Sequence, residues 1–475
     1  MNYGQFLNMV PEASLVAILI ILFFADFALS KSEKKHPVLR CLTHTLLLLQ
    51  LVPCVLAEPT SVFGGLYVST AAANAMKLIL TGGTLIVAIM AQAWLKAASR
   101  YEGEFYMLLV STLLGMYVMT SSGHFLMFFL GLEMASVPMA CLVAMDKWKK
   151  DSAEAGAKYI LTATFSSAIM LYGISFIYGA CGTLYFDDVA AKLSITPMTI
   201  AGLVFFFAGL GFKLSLVPFH FWTADTYQGA PTTVTAYLSV VSKGAAAFAL
   251  CAILMKVFAP MIAQWEILLY VVIVLSITIA NLFAMRQSEL KRFMAFSSIS
   301  QAGYIMLAVI GNSTMGIASL MFYTLVYVAA NLAVFAVINV VEQNNGGNTD
   351  RSALTGFYET NPRLSLLMTL ALFSLAGIPP FAGMFSKFFV FMAAAQQGSA
   401  WAYVVVFIAL VNTVPSLYYY LLIVKEMYIK KTATPLPTFQ SDTATKLALA
   451  ICTVGIVIFG VWSGIYEWLT SVSAM

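Results

Sequence analysis

Apolar runs of about twenty residues recur along the whole chain, separated by polar residues or by turns that contain Gly and Pro. A helix of that length crosses roughly 30 Å of hydrocarbon. The pattern therefore predicts an all-α polytopic membrane protein with about fourteen transmembrane helices. The predicted spans lie near residues 13–30, 40–57, 70–94, 104–121, 123–145, 154–180, 198–222, 231–258, 264–285, 294–311, 315–341, 364–395, 400–424 and 444–468.

The connections between these spans are short. The longest, near 181–197, 342–363 and 425–443, leave no room for a folded soluble domain. Residues 1–475 are therefore expected to form a single membrane domain. The first basic residue is Lys31, after the first apolar run, so that run lacks the positive leader of a secretory signal and is expected to stay as a helix.

The composition supports the membrane assignment and narrows the chemistry. Hydrophobic residues make up 61% of the chain and charged residues only 10%, against about a quarter in soluble domains. A net charge of +4 over 475 residues gives no reason to expect nucleic acid as a partner. The six cysteines lie far apart and no Gly-rich nucleotide motif is present, so we expect no cofactor and no metal in this chain.

The basic residues are distributed unequally between the two sides of the predicted spans. Eighteen of the 25 Lys and Arg fall on one side, and only Lys192 and Lys256 fall on the other. By the positive-inside rule, this asymmetry predicts an orientation with both termini outside. The remaining five, Lys77, Lys158, Lys213, Lys243 and Lys387, lie within or at the margins of apolar spans.

Two segments of the chain share a similar pattern of Gly, Pro and Lys. Gly209-Leu-Gly-Phe-Lys-Leu-Ser-Leu-Val-Pro-Phe-His220 and Ala376-Gly-Ile-Pro-Pro-Phe-Ala-Gly-Met-Phe-Ser-Lys387 both interrupt an apolar span with Gly and Pro beside a lysine. Broken helices in corresponding halves are typical of inverted-repeat transporters, because loosened backbone is tolerated where it lines a cavity. The alternative is an ordinary proline kink in each helix.

Glu133 lies close to the middle of the span 123–145. A charge at the bilayer centre costs at least about 2.5 kcal/mol, so it needs a partner, a hydrated cavity or a proton. Lys213 is the natural partner. A buried lysine can release its proton when its counter-charge moves away, whereas an arginine keeps its proton, so the two residues are candidates for proton transfer. The alternative is a fixed ion pair that joins two helices.

Lys243 follows a row of hydroxyl side chains. Thr232, Thr235, Ser239 and Ser242 recur at helical spacing, so they form one polar stripe beside Lys243. This arrangement favours a hydrated path, although such hydroxyls also commonly bond back to their own helix.

The other ionisable groups have competing interpretations. Lys158 stacks with hydroxyls at four-residue steps and is a candidate for the intake side of the path, or it snorkels to the interface beside Glu154. His220 follows the first broken segment and is a candidate for proton transfer or a structural histidine. Lys77, near the start of its span, is expected to snorkel.

Four motifs resemble one known family. They are Gly131-Leu-Glu-Met-Ala-Ser-Val-Pro138, the segment from Lys213 through Phe219-His-Phe-Trp-Thr-Ala-Asp-Thr-Tyr-Gln-Gly-Ala-Pro231, Lys291-Arg-Phe-Met-Ala-Phe-Ser-Ser-Ile-Ser-Gln-Ala-Gly-Tyr304, and Leu375-Ala-Gly-Ile-Pro-Pro380 with Lys387. Together they resemble the antiporter-like membrane subunits of proton-pumping NADH:quinone oxidoreductase (respiratory complex I) and of multisubunit sodium/proton antiporters. The resemblance extends over about residues 10 to 470.

The resemblance implies two inverted five-helix repeats, 104–258 and 264–424, each with one broken helix. It implies that Glu133 and Lys213 form a coupling pair, that Lys243 is the central relay, that Lys387 lies on the outlet side and that Lys158 supports the path. It also implies a proton-translocating subunit of the bacterial inner membrane. The implied partners are lipid and the other membrane subunits, including the other antiporter-like ones, with flavin and iron–sulfur subunits as indirect partners.

Two positions depart from the family pattern. Gln301 stands where some relatives have histidine, so bound water is expected to replace a histidine relay there, and Ala224 stands where the pattern has proline. Two other functions remain open at this point. One is a subunit of a sodium/proton antiporter without an electron donor, and the other is a scaffold that only holds its neighbours.

Overall fold

The computed structural model describes residues 3–97, 101–432 and 435–474. Arg100, one of the eighteen basic residues counted on one side of the spans, lies outside the described residues, as do Met1 and Met475. The described part of the chain is almost entirely helical, with one small antiparallel hairpin in which Thr60 pairs with Ser69.

The elements follow one another in three groups. The first group is α1 (Val10–Ala28), α2 (Lys35–Leu49), α3 (Leu51–Leu56), β1 (Thr60–Val62), β2 (Tyr67–Ser69) and α4 (Ala71–Ala97). The second is α5 (Glu102–Thr120), α6 (Phe125–Val143), α7 (Lys150–Cys181), α8 (Phe186–Lys192), α9 (Pro197–Leu214), α10 (Phe221–Gly229), α11 (Thr232–Tyr237) and α12 (Lys243–Lys256). The third is α13 (Ile262–Ala284), α14 (Leu290–Ile310), α15 (Thr314–Asn344), α16 (Phe357–Thr360), α17 (Pro362–Ala376), α18 (Ala382–Ala395), α19 (Ala400–Tyr428), α20 (Thr443–Val461) and α21 (Gly464–Ser473).

Thirteen helical segments of the described chain are long and apolar enough to cross a membrane. The two shorter apolar helices α17 and α18 together occupy the remaining predicted span, 364–395. The prediction of an all-α protein with about fourteen spans is therefore confirmed, with one span in two pieces. The connection near 181–197 contains the short helix α8, which the apolar pattern did not predict.

The helices differ in how much of their length is buried, so some are central and others are peripheral. The segments α11–α12, α14 and α15 are buried along most of their length, whereas α1, α2–α3 and α19 are buried along only about a quarter of theirs. The outer face of α1 exposes Phe23, Phe24 and Phe27. The segments α11–α12, α14 and α15 are therefore the ones most completely enclosed by protein.

Two helices are broken rather than kinked. The helix α9 ends at Leu214, Ser215 takes a left-handed conformation with φ 61°, and α10 begins after a cis peptide bond at Pro218. The helix α17 ends in the same way, at Ala376, where Gly377 follows with φ 90°, and α18 begins after a cis bond at Pro380. Because the backbone leaves helical geometry at both places, the alternative of ordinary proline kinks is wrong.

A π-helical turn, Leu238–Ser242, joins α11 to α12 directly before Lys243. The wider turn inserts one residue relative to α-helical spacing, and such turns recur at functional sites in proteins. The turn rotates the Lys243 side chain about the helix axis relative to the hydroxyl residues of α11. The spacing of a regular α-helix therefore does not predict which way this lysine points.

Candidate functional site

Lys213 is the second-last residue of α9, next to the first break. It is buried, and its ammonium donates to the Ser136 hydroxyl at 2.9 Å and to the Tyr159 hydroxyl at 3.1 Å. The carbonyl ends of a helix carry partial negative charge, so the end of α9 is a favourable place for a cation. The break therefore positions this charge and leaves it bonded to neutral oxygens.

Glu133 lies three residues before Ser136 on α6 and is half-buried. Its carboxylate accepts a hydrogen bond from the Ser167 hydroxyl on α7, whereas Lys213 bonds to other groups. The structure thus brings Glu133 and Lys213 to the same region but gives them separate hydrogen-bond partners. The direct contact that the sequence suggested is not formed, because the Glu133 side chain turns towards α7.

Lys243 lies at the centre of the molecule and is buried. Its ammonium donates to the Ser298 hydroxyl on α14 at 2.8 Å and lies 5.3 Å from the centre of the Tyr227 ring. The Tyr227 hydroxyl is 3.5 Å from the same Ser298 oxygen. Lys243 is therefore held by hydroxyl groups and an aromatic face.

Three aromatic side chains in contact lie between Lys213 and Lys243. The Trp222 ring packs against Tyr159 on one side, at 5.2 Å between ring centres, and against Tyr227 on the other, at 6.3 Å. Since Tyr159 bonds to Lys213 and Tyr227 lies against Lys243, the residues of α10 connect the two lysines.

Gln301 lies one turn after Ser298 on α14 and connects the centre to the second break. Its amide nitrogen donates to the Leu375 carbonyl and to the Tyr420 hydroxyl, both at 3.2 Å, and its oxygen accepts from the Tyr323 hydroxyl. The Gln301 side chain is a neutral amide, and it both donates and accepts hydrogen bonds.

Lys387 lies on α18 and is buried beside the second break. Its ammonium donates to the Ala376 carbonyl at 2.8 Å and lies 5.1 Å from the centre of the Tyr304 ring. A cavity of about 10 Å³ lies between Lys387, Gln301 and Tyr323. That volume is close to the minimum needed for one water molecule.

Lys158 lies apart from the buried lysines. Its side chain is 43% exposed and pairs with Glu154 at 2.6 Å and with Asp225 at 2.7 Å. Asp225 on α10 also pairs with Arg292 on α14 at 2.7 Å, so this exposed cluster ties three helices together. The pairing with Glu154 is the one expected for a lysine at the interface.

His220 caps the start of α10 at the first break, where its ring packs on Phe221 at 4.6 Å between ring centres. Its Nδ1 atom is buried and has no hydrogen-bond partner among the described residues. The structure therefore places His220 at the break, but in contact with neither Lys213 nor Lys243 through a hydrogen bond between described residues.

Lys77 was expected to snorkel, and this expectation is wrong. Its side chain is fully buried, its ammonium pairs with the Glu12 carboxylate at 2.7 Å, and it donates to Tyr67 and Ser69. Asn74 lies three residues before Lys77 on the same face of α4 and accepts a hydrogen bond from its ammonium. This polar neighbour at helical spacing was the overlooked sequence signal that Lys77 is buried.

Comparisons with known proteins agree on one family. A family model described as "NADH:quinone oxidoreductase/Mrp antiporter, TM" matches residues 122–413. The NADH-quinone oxidoreductase subunit N of Phocaeicola vulgatus is 58% identical over 100% of both chains. A chain of respiratory complex I from Thermus thermophilus with bound aureothin superimposes with a TM-score of 0.80 at 30% identity, covering 96% of this chain and 97% of its own.

A chain of the Mrp complex from Dietzia sp. superimposes with a TM-score of 0.85 at 20% identity, covering 100% of this chain and 97% of its own, which shows a shared fold. In sequence, Tyr227-Gln-Gly-Ala-Pro231 and a lysine rather than a glutamate at position 387 resemble subunit N most among the three antiporter-like subunits of complex I. The chain therefore belongs to the family of NADH:quinone oxidoreductase and Mrp antiporter transmembrane subunits, in its subunit N group.

Proposed function

We infer that this chain translocates protons as the antiporter-like, non-redox subunit N of a NADH-quinone oxidoreductase, driven by electron transfer in other subunits. The observation that carries this proposal is the set of three buried lysines, Lys213, Lys243 and Lys387, that bond only to hydroxyl or carbonyl oxygens. Ionisable groups inside a membrane protein usually serve a function. A cation without a carboxylate in contact can lose its proton without leaving an unpaired anion behind.

The proposed path runs through the centre of the molecule. A proton that leaves Lys213 leaves a neutral amine, passes along hydroxyl groups and water, and is taken up by Lys243 and then by Lys387. Lys387 lies beyond the midpoint of its predicted span, which supports its role on the outlet side. Lys158 and His220 border this path, as a supporting residue and a proton carrier.

Glu133 is the proposed coupling residue. It is half-buried, so it lies between the interior of this chain and its surface, where a neighbouring membrane subunit can pack. A change of charge or position at that surface would alter the field at Lys213, although the two side chains bond to different residues. Glu133 would thus transmit events in the neighbour to the first lysine.

The same proposal includes the architecture and the setting. We place one five-helix repeat at 104–258 and an inverted copy at 264–424, each with one break, in a bacterial inner membrane with both termini outside. Flavin and iron–sulfur subunits of the complex would carry the redox chemistry, and this chain would hold no cofactor. The likeness to the Mrp complex supports the antiporter alternative through the fold alone.

Replacing Lys213 tests the function. In membranes that contain the assembled complex, Lys213→Ala should lower NADH-driven proton pumping to about a tenth or less, since a positioned acid–base group contributes about 10²- to 10⁴-fold. Lys192→Ala, at an exposed lysine of α8, is the matched control and should pump normally. Dye quenching measures pumping, and the flavin content of purified membranes measures assembly. Full pumping by an assembled Lys213→Ala complex would contradict the proposal.

A further inference from the structure

A polar funnel of about 330 Å³ opens on the side of the molecule that carries the basic loops. We call it the inner funnel. Charged side chains from four parts of the chain line it: Asp146, Lys149 and Asp151, then Glu289 and Lys291, then Glu342, and finally Asp350. A second, smaller recess of about 180 Å³ contains Lys158 and Asp225. The two recesses share Asp151, Gln228 and Gly229, but only the inner funnel reaches α15.

Glu342, near the end of α15, lies at the floor of the inner funnel. One of its carboxylate oxygens is 3.3 Å from the Lys291 ammonium, and the other accepts a hydrogen bond from the Thr232 hydroxyl. Its side chain is 15% exposed and that of Lys291 is 7% exposed. Glu342 therefore faces the funnel on one side and the first residue of α11 on the other.

Two rows of polar side chains lead from this floor to the centre. On α11 and the π-helical turn the row consists of Thr232, Thr235 and Ser239, and on α15 it consists of Glu342, Asn339 and Asn331. The rows meet at both ends, because Thr232 donates to Glu342 and Asn331 donates to Ser239 at 2.7 Å. Between these two contacts the Thr235 hydroxyl donates to the Tyr227 carbonyl, so the rows border a polar seam that is bridged at its two ends.

The seam ends at Lys243. The Ser298 hydroxyl, which accepts from Lys243 at 2.8 Å, is 3.4 Å from the Ser239 carbonyl. Ser242 Oγ and Asn331 Oδ1 lie beside the seam, and each is buried without a hydrogen-bond partner among the described residues. Buried polar atoms of this kind usually bond to water, which would complete a path for protons.

We propose that Glu342 is the group at which a proton from the inner aqueous phase enters the path to Lys243. This inference rests on the proposed function. The Glu342 carboxylate takes one proton from water in the inner funnel, and its ion pair with Lys291 is released. After Lys243 has given its proton to Lys387, the proton from Glu342 passes along the seam to the neutral amine of Lys243, and Glu342 becomes a carboxylate again. No electrons move, and one proton enters for each proton delivered.

This assignment moves the intake away from Lys158. Lys158 is 43% exposed and pairs with two carboxylates, and the hydrogen bonds of its cluster lead to α14 at Arg292 rather than to Lys243. Glu342, by contrast, is bonded directly to the row that ends at Lys243. Lys291 is a positioning residue, because it acts on the proton through Glu342.

The test compares variants of the assembled complex in inverted membrane vesicles. Glu342→Gln keeps the shape of the side chain but cannot carry a proton, so NADH-driven proton uptake should fall about a hundredfold, the low end for a positioned acid–base group. Glu342→Asp should recover part of the rate. Glu359→Gln, at an exposed carboxylate of α16 outside the funnel, should leave uptake unchanged.

The variant Lys243→Ala separates the two proposals. If Lys243→Ala loses uptake while Glu342→Gln keeps it, the intake assignment is wrong and the proposed function stands. If both variants keep full uptake, the proposed function is wrong as well. Should Glu342→Gln fail to assemble, Thr232→Val removes the hydroxyl at the start of the seam with little change of shape. An assembled Thr232→Val complex with unchanged uptake would then overturn the assignment.

Discussion

The buried lysines differ in what they contact. Lys77 pairs directly with a carboxylate, Glu12, and both side chains are at most 4% exposed. Lys213, Lys243 and Lys387 bond to hydroxyl or carbonyl oxygens instead. A close carboxylate holds a proton on its lysine, whereas neutral oxygens solvate the charge without fixing it. Lys77 is therefore suited to joining helices, and the other three are suited to exchanging protons.

Removing the charge of Lys77 should destabilise the protein. Lys77→Met leaves Glu12 buried without a counter-charge, and breaking a buried pair in this way costs about 3–5 kcal/mol. The double variant Glu12→Gln/Lys77→Met should recover most of that loss. Thermal unfolding of the purified complex in detergent measures both, and equal midpoints for the wild type and Lys77→Met would contradict the assignment.

The broken helices depend on close contact between their halves. The helix α18 packs against the end of α17 at Gly383, where a Cβ atom would lie 1.7 Å from the Ser374 carbonyl oxygen. The Gly383 backbone N–H also donates to the Ser374 hydroxyl at 3.2 Å. Because Lys387 lies one turn further along α18, the position of its ammonium depends on this contact.

Adding one methyl group at Gly383 should therefore disturb the second break. Gly383→Ala forces α17 and α18 apart and moves Lys387 away from the Ala376 carbonyl, so proton pumping should fall at least about tenfold, a loss of 1.4 kcal/mol or more. Gly82→Ala is the control, since no atom lies within 4 Å of a Cβ atom at that position in α4. Pumping and assembly are measured side by side, and equal pumping by the two variants would refute the argument.

Across the whole molecule, the charged groups at the two ends of the spanning helices differ. The basic loops and the inner funnel lie on one face, and Lys192 and Lys256 lie on the opposite face, where Lys256 pairs with Asp187 at 2.8 Å. A protein that moves protons in one direction needs different groups at its two ends. The observed fold supplies them, with a carboxylate-lined funnel at one end and the Lys256–Asp187 ion pair at the other.

The proposed orientation, with both termini outside, rests on the same asymmetry and can be measured. In a variant without native cysteines, a membrane-impermeant maleimide should label Lys150→Cys only in inverted vesicles and Lys192→Cys only in right-side-out cells. Both positions are exposed. Labelling in the opposite sense would reverse the proposed direction of transport.

The spans and the breaks were predictable from sequence, because a run of twenty apolar residues and a Gly/Pro interruption are local features. The burial of Lys213, Lys243 and Lys387 was predictable for the same reason. The pair between Glu12 and Lys77 was missed, since their separation in sequence is large and only packing brings α1 beside α4.

Side-chain direction was the weakest part of the prediction. Glu133 turns to Ser167 instead of Lys213, because the choice between two neighbours depends on the packing of α6 against α7. The π-helical turn before Lys243 was also missed. The row of hydroxyl residues was assigned with the spacing of an α-helix, and that spacing gives no sign of a wider turn. Glu342 was overlooked because it ends an apolar span, where a carboxylate usually faces water.

The amide of Gln301 stands between Lys243 and Lys387, bonded to two tyrosine hydroxyls and a carbonyl. An amide does not gain or lose a proton near neutral pH, so no net charge can rest halfway between the two lysines. Lys243 and Lys387 are therefore the ionisable amines at the two ends of this stretch, with a neutral side chain between them. On the proposed path, Gln301 would thus pass a proton along its hydrogen bonds without storing charge between the two lysines.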